Sequence, residues 1–293
     1  MKVKFWGTRG SIPAPGPSTV RYGGNTPCVE VRTDSGTLFI IDAGTGIRPL
    51  GQALLTSGAK PIRGHILLTH THRDHMQGLP FFVPAFIPGN EFDLYAPLDV
   101  GKTLEEVLEG QMEYTYFPVN MRTLQAKMRF HNLVEGRFRI GDATIDVQYL
   151  NHTCICHGYR IEADGKVIVY ASDTEPHAPT LRRLSANGKL GPILHAEDRR
   201  LVEWAEGADL LIQDTQYTPE EYPAKKGWGH GTTDYAVDVA VASGVKQLAV
   251  FHHDPVHDDA MVDRMIESMQ KRAVHQGSNV VLFGAYEGQE IEL

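Results

Sequence analysis

Three histidines and an aspartate fall within the stretch Thr69-His70-Thr71-His72-Arg73-Asp74-His75, directly after the apolar run His65-Ile66-Leu67-Leu68. Neutral imidazoles and ionised carboxylates are the donors that borderline cations such as Zn²⁺ prefer, and a turn at a strand end lets such side chains converge. A single histidine among 14 is ordinarily a surface residue or a satisfied core residue. Burying His70, His72, Asp74 and His75 together without a cation would instead leave polar groups unpaired, at roughly 1 to 3 kcal/mol each. The cluster therefore points to metal, with donors enough for two ions.

The elements that must bring further donors to this loop repeat one pattern. Asp146-Val147-Gln148-Tyr149-Leu150 leads to His152, Val167-Ile168-Val169-Tyr170-Ala171 to Asp173, Leu210-Leu211-Ile212 to Asp214, and Leu248-Ala249-Val250-Phe251 to His252 and His253. Each is a β-like run ending in a ligand-type residue, and loops after strands are where a rigid sheet presents side chains to a common centre. Strand alternation sends neighbours to opposite faces, so only one of His252 and His253 is expected in the centre. Cys154, Cys156 and His157 lie beside His152. Without paired Cys-x-x-Cys spacing, the cysteines read as small buried hydrophobes rather than a structural zinc site.

In order and spacing, these pieces resemble the metallo-β-lactamase superfamily, and within it the phosphodiesterase-like branch that includes tRNase Z and cyclic-nucleotide and cyclic-phosphate phosphodiesterases. The likeness spans nearly the whole chain: Asp42-Ala43-Gly44-Thr45-Gly46, the His70 to His75 signature, Gly78-Leu79-Pro80, His152 with Gly158-Tyr159-Arg160, Ser172-Asp173-Thr174, Gly229-His230-Gly231-Thr232 and His252-His253-Asp254-Pro255. The resemblance implies an α/β fold, an αββα sandwich of two mixed β-sheets flanked by helices. It also implies His70, His72 and His152 on one metal, Asp74, His75 and His252 on a second, and Asp173 bridging them, with His253 the alternate to His252. Asp74 is expected in the catalytic set as well. Two divalent ions follow as cofactors, Zn²⁺ first, with Mn²⁺ and Fe²⁺ also suited to imidazole and carboxylate. A carboxylate-bridged pair of ions can provide hydroxide near neutral pH and clamp the oxygens of a displacement.

His230 falls outside that ligand set. Gly229 and Gly231 let the backbone come close to a substrate, and Thr232 or Thr233 can cap a helix that starts near Asp234. The corresponding motif of tRNase Z-like proteins is similar to a proton donor paired with a carboxylate. Asp214 is the matching carboxylate here, although tRNase Z carries Glu preceded by His where this chain has Gln213-Asp214. The expectation is that Asp214 orients His230, which protonates the leaving oxygen.

With 293 residues and 42% apolar content, the chain can bury one large core. It is expected to form a single domain over 1–293, with an insertion at about 81–131 that shapes the substrate pocket. Helices are expected at Gly46 to Ser57, Thr103 to Met112, Glu197 to Glu206, Asp234 to Ser243 and Asp258 to Gln276. No stretch reaches the roughly 18 to 20 apolar residues of a membrane span, and Met1-Lys2-Val3-Lys4-Phe5 reads as an immediate strand rather than a signal peptide. A cytoplasmic location is expected.

The segment 81–131 carries Phe81, Phe82, Phe86, Tyr114, Tyr116 and Phe117, which could stack on a base, bury an insertion or cover a homodimer contact. Between Gly89 and Met128 its charges are mainly acidic: Glu91, Asp93, Asp99, Glu105, Glu106, Glu109 and Glu113 against Lys102, Arg122 and Lys127. With a net charge of −8, this argues against an RNA polymer and for a small phosphodiester, a cyclic nucleotide or cyclic phosphate, whose charge two metals can neutralise. Asn25, Tyr159 and Arg160 are the expected substrate contacts, and Arg9, Arg21 and Arg48 are further cations able to meet a phosphate. The rival hydrolytic reading is a carboxyl-ester, thioester or lactone hydrolase. A di-iron oxygen-reducing protein ranks lower because His72 stands where such proteins carry Glu, and a non-catalytic regulator ranks lower because no ligand is missing.

Overall fold

The computed structural model describes residues 1–58, 61–98, 101–178, 180–184 and 190–293; Asp99 lies outside them. The chain starts with six strands, β1 (Lys2–Gly7), β2 (Cys28–Arg32), β3 (Leu38–Ile41), β4 (Arg63–Leu67), β5 (Glu91–Pro97) and β6 (Lys127–Leu133). Four more follow, β7 (Gly136–Ile140), β8 (Ala143–Leu150), β9 (Cys156–Ala163) and β10 (Lys166–Ala171), then a small ribbon of β11 (Arg182–Leu184) and β12 (Leu190–Ile193). The last are β13 (Leu210–Asp214), β14 (Gln247–Phe251), β15 (Val281–Gly284) and β16 (Glu290–Glu292).

Two seven-stranded sheets result, ordered β16-β1-β2-β3-β4-β5-β6 and β15-β14-β13-β10-β9-β8-β7. Each is mixed: antiparallel at one end, and parallel from β3 to β6 and from β10 through β13 and β14 to β15. The inner faces bury Phe5, Val29, Phe39, Ile41, Ile145, Tyr159, Ile161, Tyr170, Ile212 and Phe251 against one another. Among the described residues six α-helices complete the order: α1 (Ile47–Thr56), α2 (Arg73–Met76), α3 (Leu104–Gln111), α4 (Ala196–Trp204), α5 (Thr233–Ser243) and α6 (Asp259–His275). Alternate strand residues pack outward, against α1 and α3 on one sheet and against α4, α5 and α6 on the other. This is the expected αββα layering, with the five expected helices within two residues of their bounds.

One expectation changes. Residues 81–131 supply α3 and two strands of the first sheet, β5 on β4 and β6 on β5, so much of the segment is framework. Phe82 is buried under α1, while Phe81, Tyr114 and Tyr116 are exposed. The methionines Met265 and Met269 of α6 are buried. Among the described residues no helix is long and apolar enough to cross a membrane.

Candidate dinuclear metal site

Parallel strands end side by side, and the loops after them converge at one edge of the two sheets. The β4 loop carries His70 and His72, and α2, which begins right after His72, carries Asp74 and His75. Asp173 follows β10, Asp214 ends β13 and His252 follows β14. Asp42 after β3, Asp173 and His252 all adopt left-handed backbone, with φ of 62°, 52° and 61°. So does Ser11, at φ 62°, whose N–H donates to Asp74 Oδ2 at 2.8 Å. Such backbone is costly for a residue with a side chain and persists where the surroundings fix it, often at functional sites.

The donors separate into two groups. His72 Nδ1 and His152 Nε2 lie 3.0 Å apart, and both His70 Nε2 and His152 Nε2 lie 3.7 Å from Asp173 Oδ2. In the other group His75 Nε2 and His252 Nε2 lie 3.3 Å apart, each 3.3 Å from Asp74 Oδ2 and 3.3 Å from Asp173 Oδ1. The two oxygens of Asp173 thus face different groups, as a bridging carboxylate does. All seven expected ligands are brought together.

Orienting partners hold the rings from behind. His75 Nδ1 meets Asp42 Oδ2 at 2.8 Å, His252 Nδ1 meets Gln216 Oε1 at 2.9 Å, and His152 Nδ1 meets the Gly229 carbonyl at 2.8 Å. A proton held on Nδ1 by an oxygen leaves Nε2 as an unprotonated donor facing the centre, the usual arrangement behind metal-ligating histidines. Asp42 is a hub: fully buried, it also accepts from the Thr69 N–H and hydroxyl and from the Tyr170 hydroxyl. Gly229, at φ +85°, approaches so closely that a Cβ there would sit 2.3 Å from His152 Nδ1. Its backbone therefore serves His152, rather than a substrate as expected.

The residues fit divalent cations. His70 is fully buried and its Nε2 has no hydrogen-bond partner among the described residues. Burial, then the neighbouring imidazole of His75, keeps His70 well below the usual imidazole range; burial lowers His152 too, and the partial desolvation of the ring lowers His72 although the residue as a whole is exposed. Neutral rings that face each other with lone pairs inward are a donor set for a metal. Despite burial, neighbouring His252 and His75 keep Asp173 and Asp74 well below the usual carboxylate range. These carboxylates with Asp42 keep His75 well above the usual imidazole range despite its burial, positive charge that a cation would supply in its place.

His230 sits over both groups, its ring 5.0 Å from that of His252 and 5.3 Å from that of His152. Its Nδ1 meets Asp214 Oδ2 at 2.9 Å, and Asp214 also accepts from the N–H groups of Gly231, Thr174 and Gln216. Burial pulls the His230 imidazolium down, but Asp214, with Asp173 and Asp74 behind it, outweighs burial and raises it to about 9. Thr232 caps α5 by accepting from the Tyr235 N–H, which places His230 just ahead of a helix N-terminus, as expected.

Several expected residues lie elsewhere. Along β9, Tyr159 points into the layer between the sheets and Arg160 the other way. Tyr159 is fully buried and its hydroxyl donates to the Leu68 carbonyl at 2.6 Å, so it anchors the metal loop and cannot touch substrate. Arg160 is held by Glu162 and the carbonyl of Trp204, against the outer helices. Asn25 is tied to Glu287 and lines a cleft of about 340 Å³ that contains none of the clustered ligands. Arg9 is fully buried and donates to the carbonyls of Gly23, Asp254 and His257, while Arg21 pairs with Asp263. Asp74 faces His75 and His252 as a donor, each at 3.3 Å. His253 Nε2 meets the Ala285 carbonyl, outside the centre.

Three contributors went unread in the sequence. Gln216 had no motif to mark it. Glu175 gathers the N–H groups of Gly227 and Gly229 and so shapes the loop behind His152. Cys154, read as a hydrophobe, places its Sγ within 4.8 Å of the donor atoms of His70, His72 and His152; the short step from His152 to Cys154 was the available signal.

Known proteins share this fold. A family model described as a β-lactamase superfamily domain matches residues 37–253. Ribonuclease Z of Lactococcus lactis subsp. lactis is 24% identical over 319 residues, covering 96% of this chain and 97% of the relative. Ribonuclease BN of Cronobacter sakazakii is 24% identical, covering 92% and 94%. Among solved structures, the short form of human tRNase Z superposes with a TM-score of 0.64 at 20% identity over 100% of this chain and 99% of its own. A diphosphatase of the PhnP family does so at 0.67 and 20%, over 100% and 97%. Relatives named as ribonucleases weaken the expectation against RNA, which rested on charge alone.

Proposed function

This chain belongs to the β-lactamase superfamily, and from that premise we propose that it is a dinuclear metal-dependent phosphodiesterase acting on a small phosphodiester, a cyclic nucleotide or cyclic phosphate. The observation that carries the reading is the division of Asp173, one oxygen facing His70 and His152, the other His75 and His252. His70, His72 and His152 would hold one divalent cation, and Asp74, His75 and His252 the second. Two such ions supply a water ionised near neutral pH and neutralise a phosphate.

The chain's own residues do the rest. Asp214 engages His230 Nδ1, so Nε2 is the atom left to meet a substrate. Positioned over both groups, His230 protonates the departing oxygen, and Asp214 stabilises the imidazolium beforehand. His72, on the exposed side of the cluster, marks the open face.

His230→Ala is expected to keep both metals and to lose about 10²- to 10⁴-fold in kcat on an alkoxide leaving group, with little loss on nitrophenolate. Equal losses on both would remove the acid role. Metal analysis with a panel of bis-nitrophenyl phosphate, 2′,3′- and 3′,5′-cyclic nucleotides, a lactone, a cephalosporin and a tRNA precursor tests the reaction class. Turnover confined to the lactone and cephalosporin would overturn the phosphodiesterase reading. The likeness to ribonuclease Z over 96% of the chain favours a second reading, RNA cleavage. The net charge of −8 opposes it, since binding a polyanion draws on many Lys and Arg contacts.

A further inference from the structure

We propose that Cys154 is a further protein ligand of the first metal, beside the three imidazoles and the Asp173 oxygen, making that position a mixed imidazole and thiolate site selective for thiophilic cations. The proposal rests on the reading that the clustered histidines hold metal, and adds a donor to it. Donor atoms of His70, His72, His152 and Cys154 all lie within 4.8 Å of one another. Independently, the buried Nε2 of His70 has no hydrogen-bond partner among the described residues and faces Asp173 Oδ2 at 3.7 Å. A desolvated ring nitrogen aimed into such a group is relieved by a cation.

The neighbouring cysteine shows that the placement is specific. Cys156 is fully buried with its Sγ 3.7 Å from His70 Nδ1, the far side of the ring from the cation position. Cys154 lies in the turn between β8 and β9, half-buried and two residues beyond His152. As the sulfur–metal bond forms, the thiol proton leaves to solvent, and no redox change is involved.

Consequences follow for metal choice. Three imidazoles and a thiolate beside one Asp173 oxygen form a softer set, which favours Zn²⁺ or Co²⁺ over Mn²⁺ or Mg²⁺. The second position, with Asp74, Asp173, His75 and His252, is harder. The two positions should therefore fill with different cations from a mixture of Zn²⁺ and Mn²⁺.

The full chain, stripped with chelator and titrated with Co²⁺, tests this through the near-ultraviolet absorption of thiolate-to-cobalt charge transfer. The wild-type protein should develop the band as one of two bound equivalents fills. Cys154→Ser should lack it, while Cys156→Ala and Cys28→Ala should keep it. X-ray absorption of the zinc form should show a sulfur neighbour at about 2.3 Å. Zinc affinity at one position of Cys154→Ser should fall at least ~10-fold, the scale on which even orienting partners act. Two bound cobalt ions without the band, or a band that survives in Cys154→Ser, would overturn the proposal and leave the dinuclear reading standing. A wild-type chain that binds no cobalt would overturn both. Wild-type protein gives a measurement independent of any variant: zinc should protect Cys154 from thiol-reactive labelling, read by mass spectrometry, and unprotected labelling would also overturn it.

Discussion

At the proposed second metal position Asp74, His75, Asp173 and His252 are all buried, two of them on left-handed backbone, with Asp42, Gln216 and the Ser11 N–H fixing them from behind. At the first, His72 is exposed and His152 leans on the Gly229 carbonyl, part of a loop gathered by Glu175. One half is enclosed in the core, and the other, His70 apart, is bounded by surface loops. The difference separates a rigid anchor from an open side, and it gives each half its own points of failure.

Asp173→Ala should break the comparison altogether, because that carboxylate faces both halves. Metal analysis should show both ions lost, and kcat should fall by more than the ~10²- to 10³-fold that removal of one transition-state donor costs. Asp42→Asn should sharpen it. Affinity at the second position alone should drop by about 10- to 100-fold, measured by competition with a chelator, while the first position stays filled.

Two further changes test how the framework holds the metal loop. His157 is fully buried, its ring nitrogens have no partner among the described residues, and its backbone N–H donates to the Thr69 carbonyl. Burial lowers its pKa from 6.5 to about 4. The folded chain keeps this ring neutral where the unfolded chain protonates it. Its contribution is therefore complete above pH 6.5 and is lost as pH falls toward 4, amounting to about 2 kcal/mol between pH 7 and pH 5. His157→Leu should lose less stability than wild type over that interval in denaturant titrations. The smallest effect is expected for Tyr159→Phe, which removes the bond to the Leu68 carbonyl: about 1 kcal/mol of stability, with both metals retained.

The clustered donors were legible because chemistry restricts candidate metal ligands to few residue types at strand ends, and the β-runs before them carried their own alternation. Tyr159 and Arg160 were misread for the complementary reason. A motif marks neighbours in sequence, but on β9 neighbours face opposite sides, one into the inter-sheet core and one toward α4. The segment 81–131 misled similarly, since strand pairing of β5 and β6 depends on partners far away in the chain.

By itself, the order of residues determined which groups could bind a cation, the strand ends that carry them and the helices that cover the sheets. Local patterns encode these directly, through donor chemistry and hydrophobic period. Only tertiary structure decided how Asp173 divides its oxygens, that Asp42 and Gln216 stand behind His75 and His252, and that Cys154 rather than Cys156 turns toward the donors. Those are matters of angle and distance between segments distant in sequence, set by how two sheets pack and by backbone held in conformations that no single residue chooses alone.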